Sequence, residues 1–397
     1  MTAKFLTPPA GLPAPEPAAA AHAVRLAELI RAEIEAGGGA ISFRRYMELA
    51  LYAPALGYYS AGARKFGPGG DFITAPELSP LFSRCLARQC AEVLTQTGGD
   101  ILELGAGSGV MAADMLAELE ALAALPERYR ILELSGELRQ RQRETLAARV
   151  PHLLSRVTWL ERLPEPGFRG VMVGNEVLDA LPVERFQLTA AGPRPLGVTW
   201  DGAGFTWTEL AEDPALTAAL QASEAALGWR LPPGYASELC TALGPWLTAL
   251  AQALEAGVLL FIDYGYPRRE YYHPERDRGT LLCHYRHHAH DDPLVLPGLQ
   301  DITASVDFSA VAEAGLAAGL ELAGYTSQAY FLFGCGLERL LAEVDPADTR
   351  RYLALTGQVK RLTLPGEMGE RFQAIALARG LERPLSAFVL FDQRRRL

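Results

Sequence analysis

Three carboxylates lie directly after apolar runs that are typical of buried strands. Glu176 and Asp179 follow one such run, with Asn175 just before them, and Asp263 ends another. The carboxyl ends of parallel strands meet at one edge of a sheet, where ligands bind. Charge buried there is costly unless it is paired or used. We therefore expect Glu176, Asp179 and Asp263 to converge on the lip of one pocket and to act in catalysis.

Carboxylates converging in this way suit a guanidinium group. Arginine stays protonated in proteins, so its nitrogens are poor nucleophiles. A carboxylate can hold the guanidinium through two hydrogen bonds and concentrate its positive charge on the far nitrogen. A local explanation is also open: Asn175 could cap a helix whose first turn contains Glu176. The two interpretations are compatible.

A glycine-rich loop, Glu103-Leu104-Gly105-Ala106-Gly107-Ser108-Gly109, joins a predicted buried strand to a predicted helix. Glycines allow a tight turn and a close approach to a ligand. The dinucleotide-binding fingerprint requires a third glycine where this chain has Val110. S-adenosyl-L-methionine has no phosphate and carries a cationic amino group, which Glu103 can bind directly or through water. We expect Gly105, Gly107 and Gly109 to line this cofactor.

Glu133 supports the same cofactor. It ends the second predicted strand, where an acid can accept hydrogen bonds from both ribose hydroxyls. Taken alone, the loop could be an ordinary strand–helix turn and Glu133 a solvent-exposed strand end. Together, and in register with one βαβ unit, they favour binding of the adenosine moiety.

Strand and helix patterns alternate around these residues, as in parallel βαβ units. The predicted fold class is therefore α/β, with a Rossmann-like doubly wound sheet, an N-terminal helical region and an α+β insertion that contains a hairpin at Asp201-Gly202. We expect residues 1–20 to be disordered, 21–98 to form a helical and lid region, 99–190 and 257–397 to form the core, and 191–256 to form the insertion. A last strand is predicted over Ser386–Phe391.

Composition narrows the classes of function. The net charge is −10, with 37 basic and 47 acidic residues, so non-specific binding to nucleic acid is not expected. The five cysteines are scattered, which favours a reducing compartment and a cytoplasmic location. No apolar run approaches the ~18 residues of a membrane span, so no membrane partner is expected. The histidines His284, His287, His288 and His290 match no standard zinc spacing, so no metal is expected.

Several longer motifs resemble the MidA-type methyltransferases, the mitochondrial complex I assembly group and its bacterial relatives. The resemblance covers roughly Ile41 to the end of the sequence. The matching stretches are Gly70-Asp71-Phe72-Ile73-Thr74-Ala75-Pro76-Glu77, Glu103 to Gly109, Asn175-Glu176-Val177-Leu178-Asp179-Ala180-Leu181-Pro182, Ile262-Asp263-Tyr264-Gly265, Pro297-Gly298-Leu299-Gln300-Asp301-Ile302-Thr303, Val306-Asp307-Phe308 and Met368-Gly369-Glu370.

This resemblance implies a class I methyltransferase fold that uses S-adenosyl-L-methionine and methylates arginine side chains of a protein, symmetrically and on a complex I subunit in the mitochondrial members. It places Gly105 and Gly107 at the cofactor and Asn175 and Glu176 at the transfer site, with Asn175 also near the cofactor. It also implies that Asp71 to Glu77 forms a lid, in which Asp71 and Thr74 contact the cofactor. Where the family pattern has a histidine, this chain has Ser305.

Three functions remain open at this point. The first is methylation of an exposed arginine of a protein substrate. The second is methylation of a small molecule or of another side chain through the same cofactor site. The third is a non-catalytic assembly factor that binds a partner. A homodimer is compatible with each of the three.

Overall fold

The computed structural model describes residues 4–61, 73–345 and 347–397. The chain divides into two compact units, which we describe separately. Unit 1 comprises Met1–Phe72, Asp179–Ala242 and Arg268–Ser305. Unit 2 comprises Ile73–Leu178, Leu243–Pro267 and Val306–Leu397.

The strands within the described residues are as follows: β1 (Ile41–Ser42), β2 (Asp100–Leu104), β3 (Tyr129–Leu132), β4 (Val157–Leu160), β5 (Phe168–Asn175), β6 (Glu184–Thr189), β7 (Gly192–Trp200), β8 (Phe205–Glu209), β9 (Ala236–Leu239), β10 (Leu254–Tyr266), β11 (Leu282–Tyr285), β12 (His288–His290), β13 (Asp301–Thr303), β14 (Val306–Asp307), β15 (Glu321–Ser327) and β16 (Phe372–Arg379).

The α-helices within the same residues are α1 (Pro17–Ala36), α2 (Phe43–Tyr52), α3 (Ala75–Leu78), α4 (Pro80–Thr97), α5 (Val110–Ala121), α6 (Gly136–Arg149), α7 (Pro214–Leu227), α8 (Leu243–Ala253), α9 (Arg268–Tyr271), α10 (Phe308–Ala317), α11 (Gln328–Gly334), α12 (Leu337–Ala342), α13 (Thr349–Thr363) and α14 (Met368–Arg371). None of these helices, over the part of the chain that is described, combines the length and the apolar character that crossing a bilayer requires.

Unit 2 is built on a mixed sheet with the strand order β15-β16-β10-β5-β2-β3-β4, and β14 pairs with the end of β10. Strands β4, β3, β2, β5 and β10 run parallel to one another, whereas β16 is antiparallel to both of its neighbours. The chain runs from β2 outward through β3 and β4, and then returns to place β5 on the other side of β2. The carboxyl ends of β2 and β5 therefore flank the topological switch point, where ligands bind in such sheets.

Both faces of this sheet are covered by helices, which gives an α/β fold with a mixed sheet. Side chains alternate along each strand, so Val258 and Leu260 of β10 join the core that contains residues of α4 and α5. Phe261 points the other way and contacts Trp246 of α8, with ring centroids 5.5 Å apart. Because both faces are buried, the central strands are continuous apolar runs, which is the pattern that predicted them.

Unit 1 contains two smaller antiparallel sheets. One has the order β1-β7-β6-β9 with β8 on β7, and the other has the order β12-β11-β13. Helices α1 and α2 contribute residues to one apolar core together with residues of β7 and β13. The β7–β8 hairpin turns at Asp201-Gly202 as the sequence predicts, and Trp200 pairs with Phe205 across it.

The start of the chain differs from the prediction of disorder over residues 1–20. The described residues from Lys4 onward are placed, and Phe5 lies in a 3-10 helical turn with its ring buried. That ring contacts Trp200 at 5.7 Å and Phe205 at 6.0 Å between centroids. Helix α1 begins at Pro17, because proline is favoured in a first helical turn. The backbone adds to the contact of Phe5, since the N–H of Lys4 donates to the carbonyl of Ala203 at 3.1 Å and the carbonyl of Phe5 accepts from the N–H of Leu296 at 2.7 Å. These partners are distant in sequence, so no local periodicity predicts an ordered segment here.

The predicted domain boundaries also differ from the two units. The five-stranded sheet of unit 1 includes β6, which precedes residue 191, and β1 from the N-terminal region. Helix α8, which was predicted to lie in the insertion, packs in unit 2. Residues 268–305, predicted as core, belong to unit 1. The predicted strand over Ser386–Phe391 is instead a 3-10 turn followed by exposed residues, and the last strand is β16.

Candidate functional site

The glycine loop lies at the switch point of the unit 2 sheet, between β2 and α5. Gly105 and Gly107 have φ values of +66° and +51°, a region that residues with a Cβ atom rarely adopt. A Cβ atom at Gly105 would lie 3.3 Å from Cγ1 of Val177, in the turn after β5. The loop and this turn are therefore neighbours, as the sequence predicts for the carboxyl edge of the sheet. Gly109 packs against Gln142 of α6, whose Cα would be 3.0 Å from an added Cβ.

Glu133 follows β3 at the same edge, and its carboxylate is nearly buried. Oε1 accepts a hydrogen bond from the backbone N–H of Ser135 at 2.9 Å. Burial raises the pKa of this carboxyl, and the hydrogen bonds that it accepts oppose that rise. The next residue, Leu134, is 73% exposed. The carboxylate that is predicted to bind the ribose hydroxyls thus stands beside an exposed apolar side chain. The sequence analysis did not single out Leu134, although an apolar residue directly after the acid is visible there.

Gln142 is a further site residue that sequence reasoning missed. Its side chain is fully buried, and its amide nitrogen donates to Oε2 of Glu133 at 3.0 Å and to the carbonyl of Gly107 at 3.1 Å. Its amide oxygen accepts from Nε1 of Trp159 at 2.9 Å. One side chain therefore ties the predicted ribose carboxylate to the glycine loop. A glutamine in the middle of a helix carries no local signal of such a role.

Gln142→Glu is expected to raise the dissociation constant for S-adenosyl-homocysteine at least tenfold at pH 8, as measured by calorimetry. The variant places a second carboxylate beside Glu133 and removes both hydrogen bonds that the amide donates. The exchange variant Glu133→Gln/Gln142→Glu serves as the control. It should recover part of the thermal stability, because an amide again faces a carboxylate, but not the affinity. Full recovery of affinity in the exchange variant would place ribose binding elsewhere.

Glu103 lies inside unit 2 rather than on its rim. It is buried in β2, and its Oε2 accepts a hydrogen bond of 2.6 Å from the hydroxyl of Tyr129 in β3. Burial raises the pKa of Glu103 to about 7, against the lowering effect of the Tyr129 hydrogen bond. Its predicted contact with the amino group of the cofactor stays a prediction, since the described contact of this carboxylate is with Tyr129.

Glu103→Gln is expected to change how stability depends on pH. The pKa of Glu103 is about 7 in the fold, above its ordinary value of 4.5, so the contribution of this carboxyl is fully present below about pH 4.5 and is lost as pH rises through 7. The amide keeps an acceptor for Tyr129 and never ionises. The variant should match the wild type at pH 4.5 and exceed its unfolding free energy by about 3 kcal/mol at pH 9. Denaturant titrations at both pH values measure this difference in unfolding free energy, and the exposed Glu165→Gln is the control. If the unfolding free energies of Glu103→Gln and the wild type change in parallel with pH, the prediction is wrong.

The turn after β5 holds Glu176 in an unusual backbone conformation. Glu176 has a φ of +53°, and its N–H donates to the carbonyl of Ile262 at 2.9 Å, which continues the pairing of β5 with β10. No helix follows within residues 176–183, all of which are described, so the local explanation by helix capping is wrong. A left-handed glutamate costs roughly 1–2 kcal/mol. Strained residues of this kind cluster at active sites, ligand clamps and switch regions.

Asn175, the last residue of β5, is next to this glutamate in space as well as in sequence. Its Nδ2 donates to Oε1 of Glu176 at 3.0 Å. Its Oδ1 is buried and has no hydrogen-bond partner among the described residues. A buried acceptor without a partner costs free energy, and a ligand that donates a hydrogen bond would remove that cost. The predicted transfer site thus offers one carboxylate and one open amide oxygen.

Asp263 and Glu176 are both predicted to be catalytic, but Asp263 is buried and is hydrogen-bonded to the backbone. Its carboxylate is fully buried. Oδ2 accepts hydrogen bonds from the backbone N–H groups of Val177 at 3.1 Å and Leu178 at 2.8 Å, and Oδ1 accepts from that of Tyr264 at 2.9 Å. Through the two hydrogen bonds to Oδ2, Asp263 fixes the backbone of the turn that contains Glu176.

Asp179 begins the part of unit 1 that follows this turn, and it is buried there. Its carbonyl accepts from the N–H of Ala304 at 3.0 Å, directly after β13. In the same unit, the hydroxyl of Tyr59 donates to Oδ1 of Asp301 at 2.8 Å, and both aspartates raise the pKa of Tyr59, whose burial is the larger cause. Asp179 thus lies near the Gln-Asp-Ile-Thr motif, and its catalytic role stays a prediction.

The predicted lid is only partly described. Asp71 lies outside the described residues. Thr74 precedes α3, and its side chain does not cap that short helix. Glu77 of α3 accepts a hydrogen bond from the hydroxyl of Ser108, and Thr145 donates to the carbonyl of Ser108 at 2.7 Å. The end of the family motif therefore reaches the glycine loop directly, a contact that the sequence analysis did not predict.

Two further predictions concern unit 1. In the described part of the chain, no group of three or more His, Cys, Asp or Glu side chains is arranged to hold a metal ion. Ser305, which stands at the family's histidine, follows β13, and its N–H donates to Oγ1 of Thr280 at 3.1 Å.

Comparison with known sequences relates the chain to methyltransferases. Residues 85–326 match a family described as "Putative S-adenosyl-L-methionine-dependent methyltransferase". The protein arginine methyltransferase NDUFAF7, mitochondrial, of Mus musculus is 30% identical, with 85% of this chain and 81% of that protein covered. The protein of the same name from Danio rerio is also 30% identical, with 84% and 82% covered.

A solved structure is more similar still. A protein of Burkholderia thailandensis described as a "COG1565 superfamily member and likely methyl transferase", crystallised bound to S-adenosyl-homocysteine, is 47% identical and has a TM-score of 0.93. The similarity covers 98% of this chain and 100% of that one.

Proposed function

Because this chain belongs to the S-adenosyl-L-methionine-dependent methyltransferase family that its sequence matches, we propose that the acceptor of the methyl group is an arginine side chain of a protein. The chain is a methyltransferase, and S-adenosyl-L-methionine is its methyl donor. The acceptor and the roles of individual residues are the proposal.

The described residues fit this cofactor. Gly105 and Gly107 leave two positions of the loop after β2 without a Cβ atom, and Glu133 with Leu134 offers a carboxylate and an apolar surface after β3. When bound, S-adenosyl-L-methionine supplies a methyl carbon attached to a sulfonium. We also propose the class I methyltransferase fold, which is supported by the mixed sheet with its one antiparallel strand β16 between β10 and β15.

The observation that carries the proposed acceptor is the strained turn at the end of β5. There, Glu176 is held in the left-handed region beside the open Oδ1 of Asn175. In the proposed role, the Glu176 carboxylate accepts hydrogen bonds from a guanidinium and directs one nitrogen at the methyl carbon. As the new nitrogen–carbon bond forms and the carbon–sulfur bond breaks, the same carboxylate accepts the proton that this nitrogen loses.

The protein that carries the arginine is proposed from the relatives. Two of them are named protein arginine methyltransferases, and the family resemblance suggests a respiratory complex I subunit as the target. A small-molecule acceptor is the second candidate, since the cofactor loop is indifferent to the acceptor. A binding role without catalysis is the third, and it is separated from the other two by whether a methyl group is transferred at all.

Location and assembly also remain proposals. The relatives are named mitochondrial, whereas we propose a cytoplasmic location for this chain. That location is supported by the cysteines, which form no disulfide within the described residues. A homodimer, and the absence of nucleic-acid binding expected from the net charge of −10, would be tested by light scattering and by filter binding.

The direct test is transfer of a labelled methyl group from S-adenosyl-L-methionine into a lysate of cells that lack this protein. Label recovered as methylarginine in one or a few protein bands would support the proposal and identify the target. Label in small molecules would favour the second candidate. If S-adenosyl-homocysteine binds in calorimetry and no label is transferred, the arginine proposal fails in favour of a binding role.

A further inference from the structure

Charge is distributed unevenly along this acidic chain. Residues 349–397 contain ten basic and four acidic residues, a net charge of +6, although the whole chain carries −10. Helix α13 alone contains four basic residues and no acidic one. These ten basic residues all belong to unit 2, and an anionic partner would be attracted to them.

Helix α13 contributes few residues to the core. Leu362 is its one buried residue, and Leu355 and Val359 are partly buried against the same core. These three positions recur at helical spacing and form the inward stripe of the helix. Helix α13 therefore packs against the core through one narrow side, and most of its remaining surface is accessible to solvent.

The outward side of α13 mixes cations with large apolar side chains. Arg350, Leu353 and Lys360 of α13 recur at helical spacing, Leu364 directly follows the helix, and all four are exposed. Leu353 is 64% exposed. A leucine kept in water beside cations has no packing explanation within unit 2.

The exposed apolar set continues next to α13. Helix α11 packs against α13, and its Tyr330 and Phe333 are exposed at i and i+3. The ring of Tyr330 lies 4.5 Å from that of Phe391, between centroids. The two residues before Phe391 are also exposed, Val389 to 71%. We call the exposed sides of α11 and α13 with residues 389–391 the cationic apolar face.

We propose that the cationic apolar face binds the headgroup layer of an anionic phospholipid surface. A helix that presents leucines flanked by lysine and arginine matches the pattern of interfacial helices, in which apolar side chains enter the acyl boundary and cations meet lipid phosphates. This inference goes beyond the proposed methylation and does not depend on it. It differs from the expectation of no membrane partner, which was based on the lack of a membrane-spanning apolar run; binding at the surface of a bilayer needs no such run.

Two other partners fit the observations less well. The centre of a protein–protein interface is depleted of lysine and of charge in general, whereas cations alternate with leucines here. Single-stranded nucleic acid is bound by aromatic rings open for stacking, whereas Tyr330 and Phe391 pack on each other. An extended anionic surface with an apolar layer beneath it meets both requirements of this face.

Co-sedimentation with vesicles tests the proposal on the full chain. One vesicle type is pure phosphatidylcholine, and in the other about one third of the lipid is phosphatidylglycerol. The variants are Lys360→Glu and Leu353→Ser. Their matched controls are Arg162→Glu, whose side chain is 86% exposed elsewhere in unit 2, and Leu316→Ser on α10.

We expect the wild type to sediment with the anionic vesicles only, and to be released by added salt. Lys360→Glu and Leu353→Ser should each lower the partition coefficient at least fivefold, and both controls should leave it unchanged. Absence of wild-type sedimentation, equal binding to neutral vesicles, or an equal loss in the controls would overturn the proposal. An acidic protein as the true partner would leave the vesicles unbound and would likewise count against it.

Discussion

Glu176→Gln is expected to lower kcat for methyl transfer at least a hundredfold, with little change in the affinity for S-adenosyl-homocysteine. The amide keeps the size of the side chain but loses the charge that holds a guanidinium and accepts its proton. A loss of a hundredfold corresponds to about 2.7 kcal/mol of transition-state stabilisation. Steady-state kinetics with the labelled donor and calorimetry with S-adenosyl-homocysteine would separate the two effects.

A second substitution at the same position links the backbone strain to function. Glu176→Gly should raise the unfolding free energy by about 1 kcal/mol, because glycine adopts a φ of +53° without the Cβ penalty. It should abolish activity at the same time, as expected where stability is given up for function. The control is Ala123→Gly, since Ala123 has the same φ of +53° at the end of α5. That variant should be stabilised by a similar amount and stay fully active.

These variants can contradict the proposal in two ways. Activity retained by Glu176→Gln would remove Glu176 from the transfer step. A Glu176→Gly variant less stable than the wild type, with Ala123→Gly stabilised as expected, would show that the glutamate side chain stabilises the turn and that its conformation is not maintained for catalysis.

Asp263→Asn is expected to lower the unfolding free energy by about 3 kcal/mol and to reduce kcat with it. Three backbone N–H groups donate to the two oxygens of this buried carboxylate. An amide offers one oxygen and turns an NH2 group toward the remaining donors, which leaves buried donors without acceptors. The turn that presents Glu176 should then lose its geometry. Denaturant unfolding and steady-state kinetics of the same preparation measure both effects.

The exposed Asp201 provides a matched control for Asp263. Its Oδ1 accepts from the N–H groups of Ala203 and Gly204, both at 2.8 Å, in the β7–β8 hairpin. Because water can replace the lost acceptor there, Asp201→Asn should cost less than about 1 kcal/mol. The pH dependence of residual activity in Asp263→Asn should match that of the wild type, since Asp263 acts through the turn. Unchanged stability with lost activity would instead make Asp263 a direct participant.

Local patterns in the sequence were sufficient for the central part of the fold and for the cofactor loop. A strand buried on both faces must be apolar at each position, as β10 is from Val258 to Ile262, and glycines must occupy a turn with positive φ, as at Gly105 and Gly107. Glu133 was predicted as a site residue because an acid at the end of the second strand can bind ribose hydroxyls, and the structure places it directly after β3. Each of these features depends on residues that are only a few positions apart, so a local sequence pattern is enough to predict it.

The tertiary structure alone decided which polar residues work together. Gln142 joins Glu133 to Gly107 across two elements, and Asp263 clamps a turn that lies more than eighty residues before it in the sequence. The same is true of Phe5, which is ordered by Trp200 and Phe205. Such contacts arise where distant segments pack, and their energy comes from burying donors, acceptors and rings together. Neither periodicity nor spacing in the sequence predicts which distant residues are buried together. The sequence by itself therefore determined the strands, the helices and the glycine loop, whereas tertiary packing determined which polar residues contact one another at the carboxyl edge of the sheet.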